Sequence, residues 1–491
     1  MKKLNKSKKI LYAILIFGFI LRFYNYQNRW GLAYDQARDV LVSLFALNNN
    51  LIPATGPFSS AGQFVYGPQW FWIISFMSAI YPHAIVTPWI IQTLLYVFTI
   101  YVMFLIGKEI IGEKFGLLTA FFTAISISQT LQSTNLTSPS MVGIFSIFTT
   151  YFFIKYIKYS KNRDAFLLTF FIATTVNIHF QAVGLFGLIP IGFFLSKRKL
   201  KQIWFLILGF VIPFLPLLIF DLKTNFFESR NMLDYYLYGQ QRIYVPRRWL
   251  TYAGVFWPKT WSEVIGGYPF VGYFVIFFSF IFSLVAIIRR KFNKELIGVI
   301  VALLFIVVLL RNYKGELFGG YLVFANSFIL ILTAWVFYRI YKIKSFLFYI
   351  LLLILIVGNF SILLKNINEA TNVTSQLAFK WTNALIEKYP DKKFALYDYK
   401  DIYGNMTRPV SLYLYNANKI DDNGLRIGLV NGTPAAIMKD QEKFPVIYED
   451  LGQFQFINLS ASSDAQLKNH KWTFVNPSGV YDSIENWYSE K

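Results

Sequence analysis

Long apolar stretches separated by short polar ones dominate the first three quarters of the chain. Runs near the 17 to 25 residues needed to cross a bilayer lie at about 10–24, 84–106, 115–131, 139–157 and 164–180. Further runs lie at 182–195, 202–220, 268–288, 295–310, 317–338 and 345–364, giving eleven expected spans. A twelfth apolar run, 64–80, is interrupted by Gly67 and Pro68, leaving Gln69 to Ile80 as uninterrupted helix, too short to span. After residue 364 the pattern changes. Leu377, Trp381 and Leu385 recur at helical spacing, and Lys393 to Tyr397 reads as a strand. Mixed helix and strand signals predict a small α/β domain over 365–491.

Composition agrees with a polytopic membrane protein. Of 491 residues 55% are hydrophobic, 20% aromatic and only 15% charged, which excludes an ordinary soluble enzyme. The net charge of +21 would suggest nucleic acid in a soluble protein, but its placement excludes that partner. Residues 1–364 carry 33 basic and 11 acidic side chains, whereas 365–491 carry 14 and 15. The basic residues cluster in short loops, which marks the cytoplasmic side. With a cytoplasmic N-terminus, the clusters at Lys2–Lys9, Lys108 and Lys114, Lys155–Arg163, Lys197–Lys201, Arg289–Lys294 and Arg339–Lys344 share one side only if 64–80 does not cross. That segment is therefore expected as an aromatic helix at the outer interface, with Trp70, Phe71, Trp72 and Tyr81 at headgroup level. Loops 25–83 and 221–267 and the domain 365–491 then lie outside the cytoplasmic membrane. There is no cysteine, so no disulfide and no cysteine nucleophile.

Seven of the 11 acids before residue 365 fall on the outer side: Asp35, Asp39, Asp221, Glu228, Asp234, Glu263 and Glu316. A general base at that face comes from these, or from His83 or His179. The densest constellation is Ala33-Tyr-Asp-Gln-Ala-Arg-Asp-Val40, where Asp35 and Asp39 share a helix face beside Arg38. A carboxylate held near a cation can take a proton from a hydroxyl. The competing reading makes Asp35 the N-cap of a helix running to Leu47, with Asp39 paired to Arg38 or solvated. His179 and Gln181, in Asn177-Ile-His-Phe-Gln181, either face a cavity or hydrogen-bond between helices. The 221–267 loop sets Arg230, Arg242, Arg247 and Arg248 among tyrosines and tryptophans, fitting either a groove for a lipid phosphate or an interface docked on anionic lipid. The chain lacks a P-loop, a GxGxxG after a strand, HExxH and an Asp-x-Asp pair, which disfavours nucleotide-dependent chemistry.

The order of motifs resembles the GT-C glycosyltransferases, the broad class containing protein O-mannosyltransferases and the bacterial transferase that adds aminoarabinose to lipid A. The resemblance rests on Tyr34-Asp-Gln-Ala-Arg-Asp39, Pro53-Ala-Thr-Gly-Pro57, Gly62-Gln-Phe-Val-Tyr-Gly-Pro68, Ser133-Thr-Asn-Leu-Thr-Ser-Pro139, His179-Phe-Gln181, and Pro213-Phe-Leu-Pro216 leading to Asp221, and covers roughly residues 10–230. It implies a GT-C-like helical membrane domain with about eleven spans. It also implies inverting transfer of a sugar from polyprenyl phosphate to a lipid, glycan or protein hydroxyl at the outer face, serving glycosylation in the cell envelope. Asp35 would be the base, Arg230 would face the leaving phosphate and Tyr66 the sugar, with Arg38, Asp39, His179, Gln181 and Asp221 around the substrate. Gln36 stands where many relatives carry a second carboxylate, so no cofactor follows and a divalent cation stays open. A flippase of lipid-linked sugars, or an envelope-glycan polymerase or ligase, is the alternative; paired broken helices and inverted repeats would favour a transporter, and none is legible.

Overall fold

The computed structural model describes residues 6–59, 62–197, 199–239, 246–289, 293–313, 319–399, 406–430, 447–450, 455–470 and 472–475. Arg242 and Glu316 lie outside them. The chain divides into two compact units: Met1–Tyr26, Ala54–Trp70 and Trp89–Ala370 in one, and Gln27–Pro53, Phe71–Pro88 and Thr371–Lys491 in the other.

The first unit is helical. Among the described residues, seven helical stretches of the chain are long and apolar enough to cross a membrane, among them Thr87–Ile110, Ser138–Tyr159, Lys201–Lys223, Pro269–Ile288 and Lys294–Asn312. The protein is thus a multi-pass membrane protein. Other expected spans take less regular forms. The first is the helix Lys6–Phe23, whose 18 residues include Lys6, Lys8, Lys9 and Arg22. The run 115–131 is broken at Ser126 into Glu113–Ile125 and Ile127–Gln132. The run 182–195 is a 3-10 segment, Phe180–Gly187, continued by the short helix Leu188–Leu195.

The break at Ser126 frees helix-end carbonyls, which cannot be left bare where no water reaches. Buried Arg22 donates to the carbonyls of Gly18, Ala124 and Thr123, each at 3.1 Å. Asn359 donates to Ile125 at 3.0 Å and to Ile265 at 2.7 Å, and the Ser126 hydroxyl donates to Val264. These polar side chains fasten helices together through their free backbone groups, as interhelical hydrogen bonds do in membranes.

Two motifs singled out in the sequence pair as a hairpin. Gly56 N–H donates to Tyr66 at 2.8 Å, Tyr66 N–H to Pro57 at 3.0 Å and Ser59 N–H to Phe64 at 2.9 Å. Both arms need glycine. A Cβ at Gly56 would stand 2.4 Å from the Gly67 carbonyl, and one at Gly67 would stand 2.4 Å from both Asn177 Oδ1 and Gln69 Oε1.

The second unit holds a five-stranded sheet of order β3-β4-β2-β1-β5, with β1 (Phe394–Tyr399), β2 (Leu425–Val430), β3 (Ile447–Asp450), β4 (Gln455–Asn458) and β5 (Trp472–Phe474). β1 and β2 run parallel, joined through the helix Thr407–Asn416, and the remaining pairings are antiparallel. Every residue of β1 is buried, as a central strand covered on both faces requires. Phe394 and Leu396 pack with Trp381 and Leu385 of the helix Val373–Lys388 and with Val410 and Leu414. Ala395, Tyr397 and Tyr399 meet Leu467 and Trp472 on the other face. The helix and strand expected near Leu377–Leu385 and Lys393–Tyr397 are therefore real elements.

One further helix belongs to this unit, and a second belongs to it from Phe71 onward. Tyr34–Asn48 packs against Thr407–Asn416. Gln69–Ile80 has 12 residues, about 18 Å of rise against a hydrocarbon core of roughly 30 Å, so it cannot span upright.

Candidate active site

In the second unit the helix Tyr34–Asn48 presents its first two turns as a charge cluster. The N-cap is Ala33, which makes no side-chain cap bond, so the expectation of Asp35 as the cap is corrected. Asp35 stands one residue inside the helix, where a carboxylate still favours the positive helix end. Its Oδ1 lies 3.0 Å from Arg38 Nη1. Arg38 turns its Nε and Nη2 to Asp39 Oδ1, both at 2.7 Å, so Asp39 is paired to Arg38 as one sequence reading held. The two carboxylates differ in access: the Asp35 side chain is 67% exposed and that of Asp39 5%. Burial works against the Arg38 charge, but Asp39 and Asp35 more than offset it and hold its pKa above the usual arginine value.

Tyr34 carries a second arginine that sequence reasoning missed. The Arg408 guanidinium lies 3.9 Å from the Tyr34 ring centroid, a close cation–π contact. Its Nε is 3.4 Å from Oδ2 of the buried Asp398. Burial lowers the Arg408 pKa, with Tyr34 and Asp398 opposing that shift, and burial raises the Tyr34 phenol. One signal for Arg408 was available: it opens the helix after a parallel strand, and the carboxyl ends of such strands are where ligands gather. Its meeting with Tyr34, far away in sequence, was not legible.

The first unit brings together Tyr66 and His179, whose rings stack with centroids 4.4 Å apart and planes at 28°. His179 leaves the helix Asn162–Ile178 in extended conformation, and its Nδ1 accepts the Gln181 N–H at 3.3 Å. Tyr321 approaches the same imidazole, centroids 5.4 Å apart, and the Tyr66 hydroxyl bonds Ser59 at 3.2 Å. The Gln181 side-chain amide is buried without a hydrogen-bond partner among the described residues. Asp221 turns both oxygens to Ser229, accepting its N–H at 3.1 Å and its hydroxyl at 2.5 Å, which fastens the turn between Lys201–Lys223 and Phe227–Asp234. Arg230 stands exposed on the latter helix and makes no ion pair among the described residues.

Glu228, one of the seven outer acids but given no role of its own in the sequence reading, is buried there. Its Oε2 accepts the Val65 N–H at 2.9 Å while Oε1 has no hydrogen-bond partner among the described residues. Burial pushes its pKa up to about 8, the Val65 bond pulling the other way. Among the described residues no three His, Asp or Glu side chains converge as metal ligands. Both carboxylates of the Tyr34 helix face the Arg38 cation, so a divalent ion does not fit that donor set.

Residues 66–220, less than half of the chain, match the family model described as dolichyl-phosphate-mannose-protein mannosyltransferase. No curated protein matches in sequence. In structure the chain is similar to ArnT from Cupriavidus metallidurans in the apo state, with TM-score 0.61, 10% identity, and 92% of this chain and 98% of that chain covered. ArnT bound to undecaprenyl phosphate gives 0.60 and 10%, covering 93% and 99%. The apo oligosaccharyltransferase of Archaeoglobus fulgidus gives 0.50 and 13%, covering 79% of this chain and 59% of that one. The chain has a GT-C-like fold, similar to that of ArnT, as the order of its motifs implied.

Proposed function

We propose that the protein is an integral-membrane glycosyltransferase that moves a sugar from a polyprenyl-phosphate donor to a hydroxyl at the outer face of the cytoplasmic membrane, with inversion. The observation that carries this reading is the exposed Asp35 carboxylate held by Arg38 at the start of a helix, in a chain with the GT-C fold. Asp35 accepts the hydroxyl proton as the acceptor oxygen bonds to the anomeric carbon. The carbon–oxygen bond to phosphate breaks in the same step, and the leaving polyprenyl phosphate keeps the electron pair. A single displacement inverts the anomeric centre. Arg38 holds Asp35 oriented, and Asp39 in turn orients Arg38.

On the donor side, Arg230 is the cation for the leaving phosphate, whose growing charge a guanidinium stabilises well. Tyr66, with His179 stacked on it, offers an aromatic face to the sugar, and Gln181 supplies a free amide for its hydroxyls. Asp221 holds the turn that carries Arg230. The ArnT structure of similar fold that holds undecaprenyl phosphate supports the donor class. The N-terminus is cytoplasmic, and Gln69–Ile80 lies at the outer interface.

The test offers purified protein in nanodiscs a panel of radiolabelled polyprenyl-phosphate sugars. Release of the sugar from the lipid, by transfer or hydrolysis, is the expected outcome. Transbilayer movement of an intact donor with no bond cleavage would replace the enzyme reading with a flippase.

A further inference from the structure

Arg408 has donor capacity that the fold leaves unused. Its guanidinium stacks on Tyr34 and approaches Asp398, yet makes no hydrogen bond among the described residues. Its side chain is 24% exposed while Nε is buried, so the open part lies elsewhere along the side chain. Guanidinium groups this enclosed are ordinarily matched by acceptors, since an unpaired donor in a dry site is costly. Next to Tyr34 in the chain, Asp35 is the mirror case: an exposed carboxylate whose one ion-pair partner among the described residues is Arg38. Arg408 stacks on the Tyr34 ring, and Asp35 is the next residue along the same helix, which packs against the helix that carries Arg408.

The local charge decides what fits. Asp35, Asp39 and Asp398 stand against Arg38 and Arg408, three carboxylates to two guanidiniums. A phosphate or carboxylate would satisfy Arg408 but lie beside a net negative cluster. A metal ion would satisfy Asp35 but face two arginines. A ligand carrying neighbouring hydroxyls answers both: one hydroxyl donates to Asp35 while a second accepts from Arg408.

We propose that Arg408, contributed by the C-terminal domain, is a specificity-determining residue that donates to a second hydroxyl of the acceptor, and that the acceptor is a carbohydrate. This inference rests on the glycosyltransferase reading for the role of the first hydroxyl. It names the acceptor class among lipid, glycan and protein.

Binding without turnover tests it. Methyl glycosides of glucose, galactose and mannose are titrated into full-length protein in nanodiscs by saturation-transfer NMR, with glycerol 3-phosphate and a serine-containing peptide as comparison probes. At least one glycoside is expected to bind wild type and to bind Arg408→Gln about tenfold more weakly, the loss of one charge-assisted hydrogen bond. Arg408→Lys keeps the charge, tests whether the site survives folding, and is expected to bind at intermediate strength. Equal glycoside binding by wild type and Arg408→Gln, no glycoside binding at all, or tighter Arg408-dependent binding of glycerol 3-phosphate or the peptide would each overturn the proposal. Donor cleavage by wild type is read separately. Cleavage without Arg408-dependent glycoside binding sinks the acceptor assignment alone, whereas glycoside binding without cleavage sinks the enzyme reading.

Discussion

At the scale of single residues, environment separates side chains that the sequence treats alike. Asp35 and Asp39 share a helix face and an arginine, but one is open and the other enclosed. In the proposed mechanism the open one receives the proton from the substrate. Asp39→Asn is therefore expected to reduce activity through Arg38 orientation, less severely than the loss at Asp35; equal losses in single-turnover assays would assign the base jointly. Gly67→Ala puts a methyl 2.4 Å from Asn177 Oδ1 and Gln69 Oε1. The expected cost is about 1–3 kcal/mol in thermal unfolding, the usual result of overpacking; a wild-type melting temperature would contradict the close approach. Glu228 gives a pH signature. Its folded pKa is raised from 4.5 to about 8, so between those values the folded state keeps a proton that the unfolded state has lost. The contribution is full below 4.5 and lost as pH rises through about 8. Stability should therefore fall with pH across that window, and Glu228→Gln should flatten this component. An unchanged pH slope in the variant would show that Glu228 titrates normally.

Among the elements, the legible ones were those set by local pattern. Leu377, Trp381 and Leu385 marked a helix, and the run before Tyr397 marked a strand, because burial periodicity is a local property. The Gly67-Pro68 interruption fixed the start of the short aromatic helix at Gln69. Less legible were the break at Ser126 and the 3-10 passage Phe180–Gly187, where an apolar run reads the same whether or not the helix is continuous. The free carbonyls at the Ser126 break are answered by Arg22 and Asn359 from distant segments, which no local window contains. The hairpin was visible as two motifs but not as a pair. A core test belongs here: Leu385→Ala should cost about 2–5 kcal/mol and expose the sheet domain to proteolysis first. Protection equal to wild type would mean that Val373–Lys388 is not part of that core.

For the whole molecule, the membrane class was read from composition and spacing and the GT-C fold from a resemblance in motif order, and the fold comparisons agree. The site was only partly legible. Asp35, Arg38 and Asp39 are neighbours in sequence and stay together, while Arg408 joins Tyr34 across almost the whole chain. Orientation can be tested cleanly because the protein has no cysteine of its own. Single cysteines at Lys108, Lys161 and Lys344 are expected to react with a membrane-impermeant maleimide only from the cytoplasmic side, and those at Asn49 and Lys392 only from the outer side. Labelling of both sets from one side would overturn the assigned topology.

The central claim is that Asp35 takes the acceptor proton during sugar transfer. Single turnover of a labelled polyprenyl-phosphate sugar by wild type and Asp35→Asn, both reconstituted in nanodiscs, tests it most directly. Losing a general base should slow bond cleavage by about 10²–10⁴-fold, with insertion and thermal stability retained. Cleavage by Asp35→Asn at near wild-type rate would contradict the account.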